Sequence, residues 1–313
     1  MSADDHRLSE QELDGIFERS VAPTLFGRVE RSTDPLLILT GAQPGAGKTR
    51  AGMDAIAASG QTIVRIIGDD LRKFHPEYLD LLSKRPAAMP DATAQAMGGW
   101  VERSARYAAD HRVSTLIEGT WRDPTVPMAT AQMFSDAGFK VDAHLIAVSP
   151  EESHLSTGVR FVEDDRRTGE ARFTKVESHD EAFDVIPLTM RAIAAVGSPM
   201  SRLVVRTRER VLFDRSRNAG RTIRGGLSAA RQEWNRPQTD KEFRSWMSRA
   251  EDVTSYLDLH HAGIPEVADL VRQLGYDGQY IGFVRSGSVA VRGHVRAGGD
   301  VVPHVRSWPR SSS

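Results

Sequence analysis

The segment Gly41–Thr49, GAQPGAGKT, lies between an apolar run, Leu36–Thr40, and an alanine-rich stretch that reaches Ala58. That arrangement leaves few folds open. An apolar run ending in glycine reads as a buried strand, and the alanine-rich stretch reads as a helix from Thr49. The glycines between them let the backbone turn so that successive N–H groups face one point. The helix N-terminus adds its positive dipole end at the same place. Phosphate oxygens fit such a cradle. Lys48 would reach the β- and γ-phosphates of a nucleotide, and the Thr49 hydroxyl would ligate Mg²⁺. Gly41, Ala42, Gln43, Pro44, Gly45, Ala46 and Gly47 would form the loop itself. Ala42 stands where the strict pattern has glycine, with Gly41 just before it.

The chain on either side repeats the strand–helix alternation. Strands are expected at Thr62–Ile67, Ser114–Ile117 and Val141–Val148, with further candidates at Leu203–Val205 and Val211–Phe213. Helices are expected at Leu8–Val21, Asp91–Asp110, Pro124–Ala137 and Pro150–Arg167. Alternation of this kind predicts an α/β fold with a mostly parallel sheet flanked by helices, of the P-loop NTPase and kinase type. Ligands of such sheets sit at the carboxyl ends of the strands. After about Gly220 the composition becomes polar, with an amphipathic stretch at Pro265–Leu274 and a Gly-, Val-, Arg- and Ser-rich tail from about Arg285. The expected division is a kinase-like domain over 1–220 and a mainly helical appendage over 221–313.

Charge and composition bound the partners. The 313 residues carry 41 Lys and Arg against 42 Asp and Glu, a net charge of −1, so no global footprint for nucleic acid exists. There is no cysteine, which excludes disulfides and thiolate metal sites. The N-terminus, MSADDHRLSEQELDG, lacks an apolar core for a signal peptide, and the apolar runs are too short to span a bilayer. These features predict a soluble, cytoplasmic protein without nucleic-acid or membrane partners.

Chemistry-bearing residues recur at the predicted strand ends. Asp69, in Gly68-Asp69-Asp70-Leu71-Arg72, can accept the proton of an acceptor hydroxyl near the γ-phosphate; it can equally cap the following helix. Glu118 ends an apolar strand and resembles the acid that such strands place near a metal or substrate. Alternation along an extended Glu118-Gly119-Thr120-Trp121-Arg122 would set Glu118, Thr120 and Arg122 on one side, facing a hydroxylated, phosphorylated acceptor. Arg160, Arg166, Arg167 and Arg172 form a cationic group suited to a transferring phosphate, although Arg166 and Arg167 lie in the mixed run EDDRRTGE and read as solvated.

Four segments in order, GAQPGAGKT, GDDLRKFHPEY, LIEGTWRDPTVPMATAQMFSDAGF and LIAVSPEESHLSTGVRFVED followed by ARFT, make the chain resemble the zeta-toxin family, the kinase toxins of epsilon/zeta-type toxin–antitoxin systems. The resemblance spans about Leu36 to Asp214. It implies phosphorylation of the 3′-hydroxyl of UDP-N-acetylglucosamine by ATP or GTP, with Mg²⁺, and an antitoxin protein as a possible partner. It implies Asp69 as catalytic base, Lys48 as the loop lysine and Thr49 as the Mg²⁺ ligand. Glu102, Glu118, Thr120, Arg122 and Thr130 fall on acceptor-contacting positions, and Arg160 and Arg172 on the arginines that stabilise the transferring phosphate. Two other readings stay open: a zeta-like kinase of another hydroxylated metabolite such as NAD or a nucleoside, and a nucleotide-binding module without turnover.

Overall fold

The computed structural model describes residues 3–85, 88–169, 171, 173–217, 223–286, 288, 292–295 and 301–303. Ser9 caps the first helix, α1 (Glu10–Ile16), in a reciprocal box with Glu12. The expected helix to Val21 continues through one wide turn, Phe17–Val21, into α2 (Ala22–Phe26). Then follow β1 (Leu36–Gly41), the glycine-rich loop, α3 (Lys48–Ser59) and β2 (Val64–Ile67). Three short helices come next: α4 (Gly68–Leu71), α5 (Tyr78–Lys84) and α6 (Met89–Ala92). The helix expected from Asp91 is interrupted before α7 (Ala94–Asp110). At the break, Thr93 donates to the Met89 carbonyl and accepts from the buried Arg72.

The chain continues with β3 (Thr115–Gly119), α8 (Thr125–Asp136), β4 (Lys140–Ile146) and α9 (Pro150–Thr168). The sequence did not announce α10 (Val176–Ala194), because Pro187 interrupts its helical reading; ten of its side chains are nonetheless buried, and packing holds it helical. β5 (Arg202–Arg206) and β6 (Val211–Ser216) form a hairpin. The last part is helical as expected: α11 (Gly226–Trp234), α12 (Asp240–His260) and α13 (Pro265–Arg285), the last running past the expected Leu274. A short hairpin, β7 (Gly293–Val295) and β8 (Val301–Pro303), occupies part of the tail. No helix among the described residues is long and apolar enough to cross a membrane.

The six main strands form one sheet in the order β2-β3-β1-β4-β5-β6, parallel except for β6. β1 is buried at every position and lies between β3 and β4, so its carboxyl end is the point where chain order turns outward on both sides. Register brings Thr40 opposite Glu118 and Ile67 opposite Glu118. The ends of β1, β2 and β3 therefore meet.

Helices cover both faces, and the main core runs from Leu13 through the sheet to Ile223, Ala230 and Trp234. A second core lies away from the sheet. There Leu155, Phe161 and Val162 of α9 pack against Trp246, Val253, Leu257, Leu270, Leu274 and Ile281 of α12 and α13. Between the two cores runs a buried polar chain. The Ser153 hydroxyl lies 2.8 Å from His179 Nε2, and His179 Nδ1 donates to Asp180 at 2.9 Å. His154 donates from both ring nitrogens at 2.8 Å, to Asp180 and to Asp277, and Gln273 donates to Asp277 at 2.8 Å.

His154, His179 and Asp180 have the donor types of a metal site. A ring that donates from both nitrogens is an imidazolium, however, and its charge is matched by the two carboxylates; the group is an ionic tie between α9, α10 and α13. Burial disfavours the charged ring, but Asp277 and Asp180 outweigh it and hold the His154 pKa up at about 10.

This tie yields a prediction. The folded pKa of His154 lies above its ordinary 6.5, so its stabilising contribution is fully present below pH 6.5 and is lost as pH rises through about 10. Urea midpoints should fall across that window in the wild type and fall less in His154→Leu. At neutral pH the variant, which leaves two carboxylates facing each other, should be less stable by about 3–5 kcal/mol.

Candidate active site

The glycine-rich loop leaves β1 with buried residues and tightens at Gly45 (φ +77°) and Gly47 (φ +94°). Both angles lie in the left-handed region that glycine adopts at no steric cost. Gly41 is fixed by close approach instead: a Cβ there would lie 1.9 Å from the Trp121 indole. Gln43 is fully buried and donates to the Val148 carbonyl at 2.8 Å and to Ser153 Oγ at 3.0 Å, which pins the loop to the start of α9. Lys48 Nζ arches back over the loop and donates to the carbonyls of Ala42 and Gln43, at 2.9 and 3.0 Å.

Thr49 and Glu118 are brought into contact. The Thr49 hydroxyl donates to Glu118 Oε2 at 3.2 Å, while Oε1 is buried with no hydrogen-bond partner among the described residues. Burial raises the Glu118 pKa; Lys48 and the Thr49 hydroxyl work against that rise. A hydroxyl and a carboxylate side by side are hard oxygen donors of the kind Mg²⁺ takes, and the orphaned Oε1 has capacity for a ligand.

Asp69 follows β2, two residues beyond the partner of Glu118. It is not a helix cap: the capping position of α4 is Ile67, with no side-chain bond there. Its carboxylate is half-exposed and accepts from Arg72 Nε at 3.1 Å. Arg72 is itself buried, and its Nη1 donates to the Pro90 carbonyl at 2.7 Å and to Thr93 at 2.6 Å. The broken helix at Thr93 is thus part of the mount that aims Asp69.

Ser153 and Thr157 of α9 face Gly45, and Arg160 follows on the same helical face. Arg160 donates to Thr174 at 3.0 Å. Arg172 lies outside the described residues. Arg166 and Arg167 are both exposed, as read, Arg167 beside Asp164 and Arg166 over the Tyr256 ring, 4.5 Å from its centroid.

The acceptor-side residues gather less tightly. Glu102 is exposed on α7 and pairs with Arg106 at 2.8 Å, although its neighbour Val101 packs near Gly68. The Thr130 hydroxyl donates to the Val126 carbonyl of its own helix at 2.9 Å. The expected one-sided row Glu118, Thr120, Arg122 does not form, because β3 ends at Gly119 and Trp121 takes φ +54°. The alternation stops where the strand stops. Trp121 is buried against Gly41, and α10 fixes its carbonyl through the Thr189 hydroxyl at 2.9 Å; Arg122 beyond it is exposed.

One functional candidate escaped the sequence. Arg208, in the β5–β6 turn, donates to the loop carbonyl of Gly45 at 2.7 Å. Its local sequence, Arg206-Thr207-Arg208-Glu209-Arg210, carries no sign of this, since any arginine-rich hairpin turn looks the same.

Comparison with known proteins bears on the family and the fold. The zeta toxin family model matches residues 23–218. The chain is 38% identical over 150 residues to Toxin PezT of Streptococcus pneumoniae, covering 48% of this chain and 59% of that protein. It is 26% identical over 166 residues to Toxin zeta of Enterococcus hirae, covering 52% of this chain and 57% of that protein. The matched stretch thus spans less than two thirds of either relative. A solved structure from the PezAT chromosomal toxin–antitoxin system of S. pneumoniae superposes with a TM-score of 0.67 at 24% identity, over 82% of this chain and 100% of that one, which shows a shared fold.

The loop geometry predicts unequal costs for two alanine substitutions. At Gly45, φ is +77° and a Cβ would lie 2.2 Å from the Ser153 carbonyl oxygen; at Gly60, φ is +65° with nothing within 4 Å. Both pay a left-handed strain of about 1–2 kcal/mol, and only Gly45→Ala must also push the loop off α9. Thermal denaturation should show a clearly larger fall in Tm for Gly45→Ala than for Gly60→Ala.

Proposed function

The chain belongs to the zeta-toxin family, and from that premise we propose that it is an ATP- or GTP-dependent kinase that moves the γ-phosphate onto a sugar hydroxyl, the 3′-hydroxyl of UDP-N-acetylglucosamine. The observation that carries the reading is the meeting of three strand ends. Lys48 and Thr49 follow β1, Asp69 follows β2, and Glu118 is the next-to-last residue of β3, with Glu118 touching Thr49.

In this reading the free backbone amides at the start of α3 and the Lys48 ammonium bind the triphosphate. Thr49 and Glu118 would hold Mg²⁺, which neutralises charge on the β- and γ-phosphates when bound. Asp69, aimed by Arg72, accepts the proton of the acceptor hydroxyl. The oxygen so freed forms a bond to the γ-phosphorus as the bond from that phosphorus to the β-phosphate oxygen breaks. Arg160, and Arg172 with it, offset the charge on the moving phosphoryl group. Glu102, Glu118, Thr120, Arg122 and Thr130 are proposed to contact the acceptor. Of these, the exposed Glu102 and Arg122 must move or be met by the acceptor to take part.

Residues 1–220 are proposed to carry this chemistry, while α12 and α13 brace α9 against the loop. An antitoxin protein is the proposed partner, by analogy with the toxin–antitoxin system named for the structural relative, and the cytoplasm is the proposed compartment, where nucleoside triphosphates are at hand.

Transfer of labelled phosphate from ATP and GTP to UDP-sugars, NAD and nucleosides tests the reading. Labelling of UDP-N-acetylglucosamine is the expected result; labelling of NAD or a nucleoside instead replaces the acceptor. Absence of transfer to any of them removes the kinase assignment. Asp69→Asn should lower kcat by about 10²–10⁴ while nucleotide affinity stays near that of the wild type, because the carboxylate acts only as the proton leaves. Unchanged turnover in that variant would exclude Asp69 as the base.

A further inference from the structure

Arg208 holds the glycine-rich loop from outside. Its Nη2 donates to the Gly45 carbonyl at 2.7 Å and its Nε to the Ala46 carbonyl at 3.3 Å. Its aliphatic stem lies 3.5 Å from where a Gly47 Cβ would stand. The guanidinium also reaches α9, through Ser156 Oγ at 2.7 Å and Glu152 Oε1 at 2.8 Å. Glu152 is shared in turn: Arg249 of α12 donates to its two oxygens at 3.0 and 2.9 Å. One ionic chain thus runs from the C-terminal helices, through Glu152, to two peptide groups of the loop.

The peptide plane gives this chain a consequence. In a trans peptide the carbonyl of one residue and the N–H of the next point in opposite directions. Drawing the Ala46 carbonyl outward to Arg208 therefore turns the Gly47 N–H to the inner side, where phosphate oxygens would bind, while the Ala46 N–H, set by the Gly45 carbonyl, donates to the Gln43 carbonyl at 3.4 Å. Glycine leaves these planes free to rotate, so something outside the loop must hold them. A planar fork with several fixed donors suits that task, and a lysine does not.

We propose that Arg208 is a positioning residue for nucleotide, and that Arg249, acting through Glu152, sets how firmly Arg208 holds the loop. The C-terminal helices then tune nucleotide affinity without touching the nucleotide. This inference rests on the nucleotide-dependent function proposed above.

The test is a double-mutant cycle read by calorimetric binding of a non-hydrolysable ATP analogue with Mg²⁺, with Tm measured for each variant. Arg208→Met should raise the Kd about tenfold, the scale of one charge-assisted hydrogen bond lost. Arg249→Met should raise it about threefold alone and cause no further loss in the Arg208→Met background, because coupled residues are non-additive. Arg208→Lys keeps the charge but loses the fork, and should bind nearly as weakly as Arg208→Met. Full recovery in the lysine variant would mean a field effect only and would overturn the positioning role. A lowered Tm with unchanged Kd in all variants would make Arg208 a structural strut and overturn the inference alone. Failure of the wild type to bind the analogue would overturn the proposed function and this inference together.

Discussion

The backbone of Gly41–Thr49 must turn left-handed at Gly45 and Gly47 to bring the chain from β1 into α3, and much of the remaining structure serves that requirement. A loop of glycines has no preference for this shape on its own. It is held at four places: Gly41 under the Trp121 indole, Gln43 on Val148 and Ser153, Gly45 against α9, and the outward carbonyls on Arg208. The anchors come from three separate parts of the chain: Trp121, residues 148–157 and Arg208. The entropic cost of fixing this glycine-rich turn is thus offset by packing and hydrogen bonds that no local segment provides.

α9 links these anchors to the rest of the molecule. Ser153, Thr157 and Arg160 line the face toward the loop, while Leu155 and Val162 enter the second core with α12 and α13. The buried charges lie between the two. Glu151 is held below the usual carboxylate range: burial works against its charge, and the partly buried Arg292 guanidinium, 2.6 Å away, more than compensates. Ions at such depth stabilise little in net terms, but losing one partner is costly, so pairs of this kind fix relative position more than they add stability. In this chain they fix α9 against α10, α13 and the segment around Arg292.

Asp69 and Glu118 illustrate how two carboxylates at neighbouring strand ends differ. Glu118 is more than half removed from water, and burial pushes its pKa up. Asp69 stays half-exposed, with Arg72 beside it and Arg72 anchored on Thr93 and the Pro90 carbonyl. The distinction comes from depth and partner, since the residue types are nearly alike.

Much was legible in the sequence because it is local. The strand–loop–helix of residues 36–58, the alternation that made the sheet parallel, and the helical character after Gly220 follow from hydrophobic period and glycine placement, which act over a few residues. The acids at the ends of β2 and β3 could be seen as such once those strands were placed. Tertiary structure alone decided the rest. It ended β3 at Gly119 and folded Trp121 back onto Gly41, so the row expected through Arg122 never formed. It kept α10 helical across Pro187, drew Arg208 from a hairpin turn onto the loop, and paired Glu152 with an arginine 97 residues away. Each of these rests on contacts between segments distant in the chain, and side-chain type and spacing carry no record of which distant surface a residue will meet.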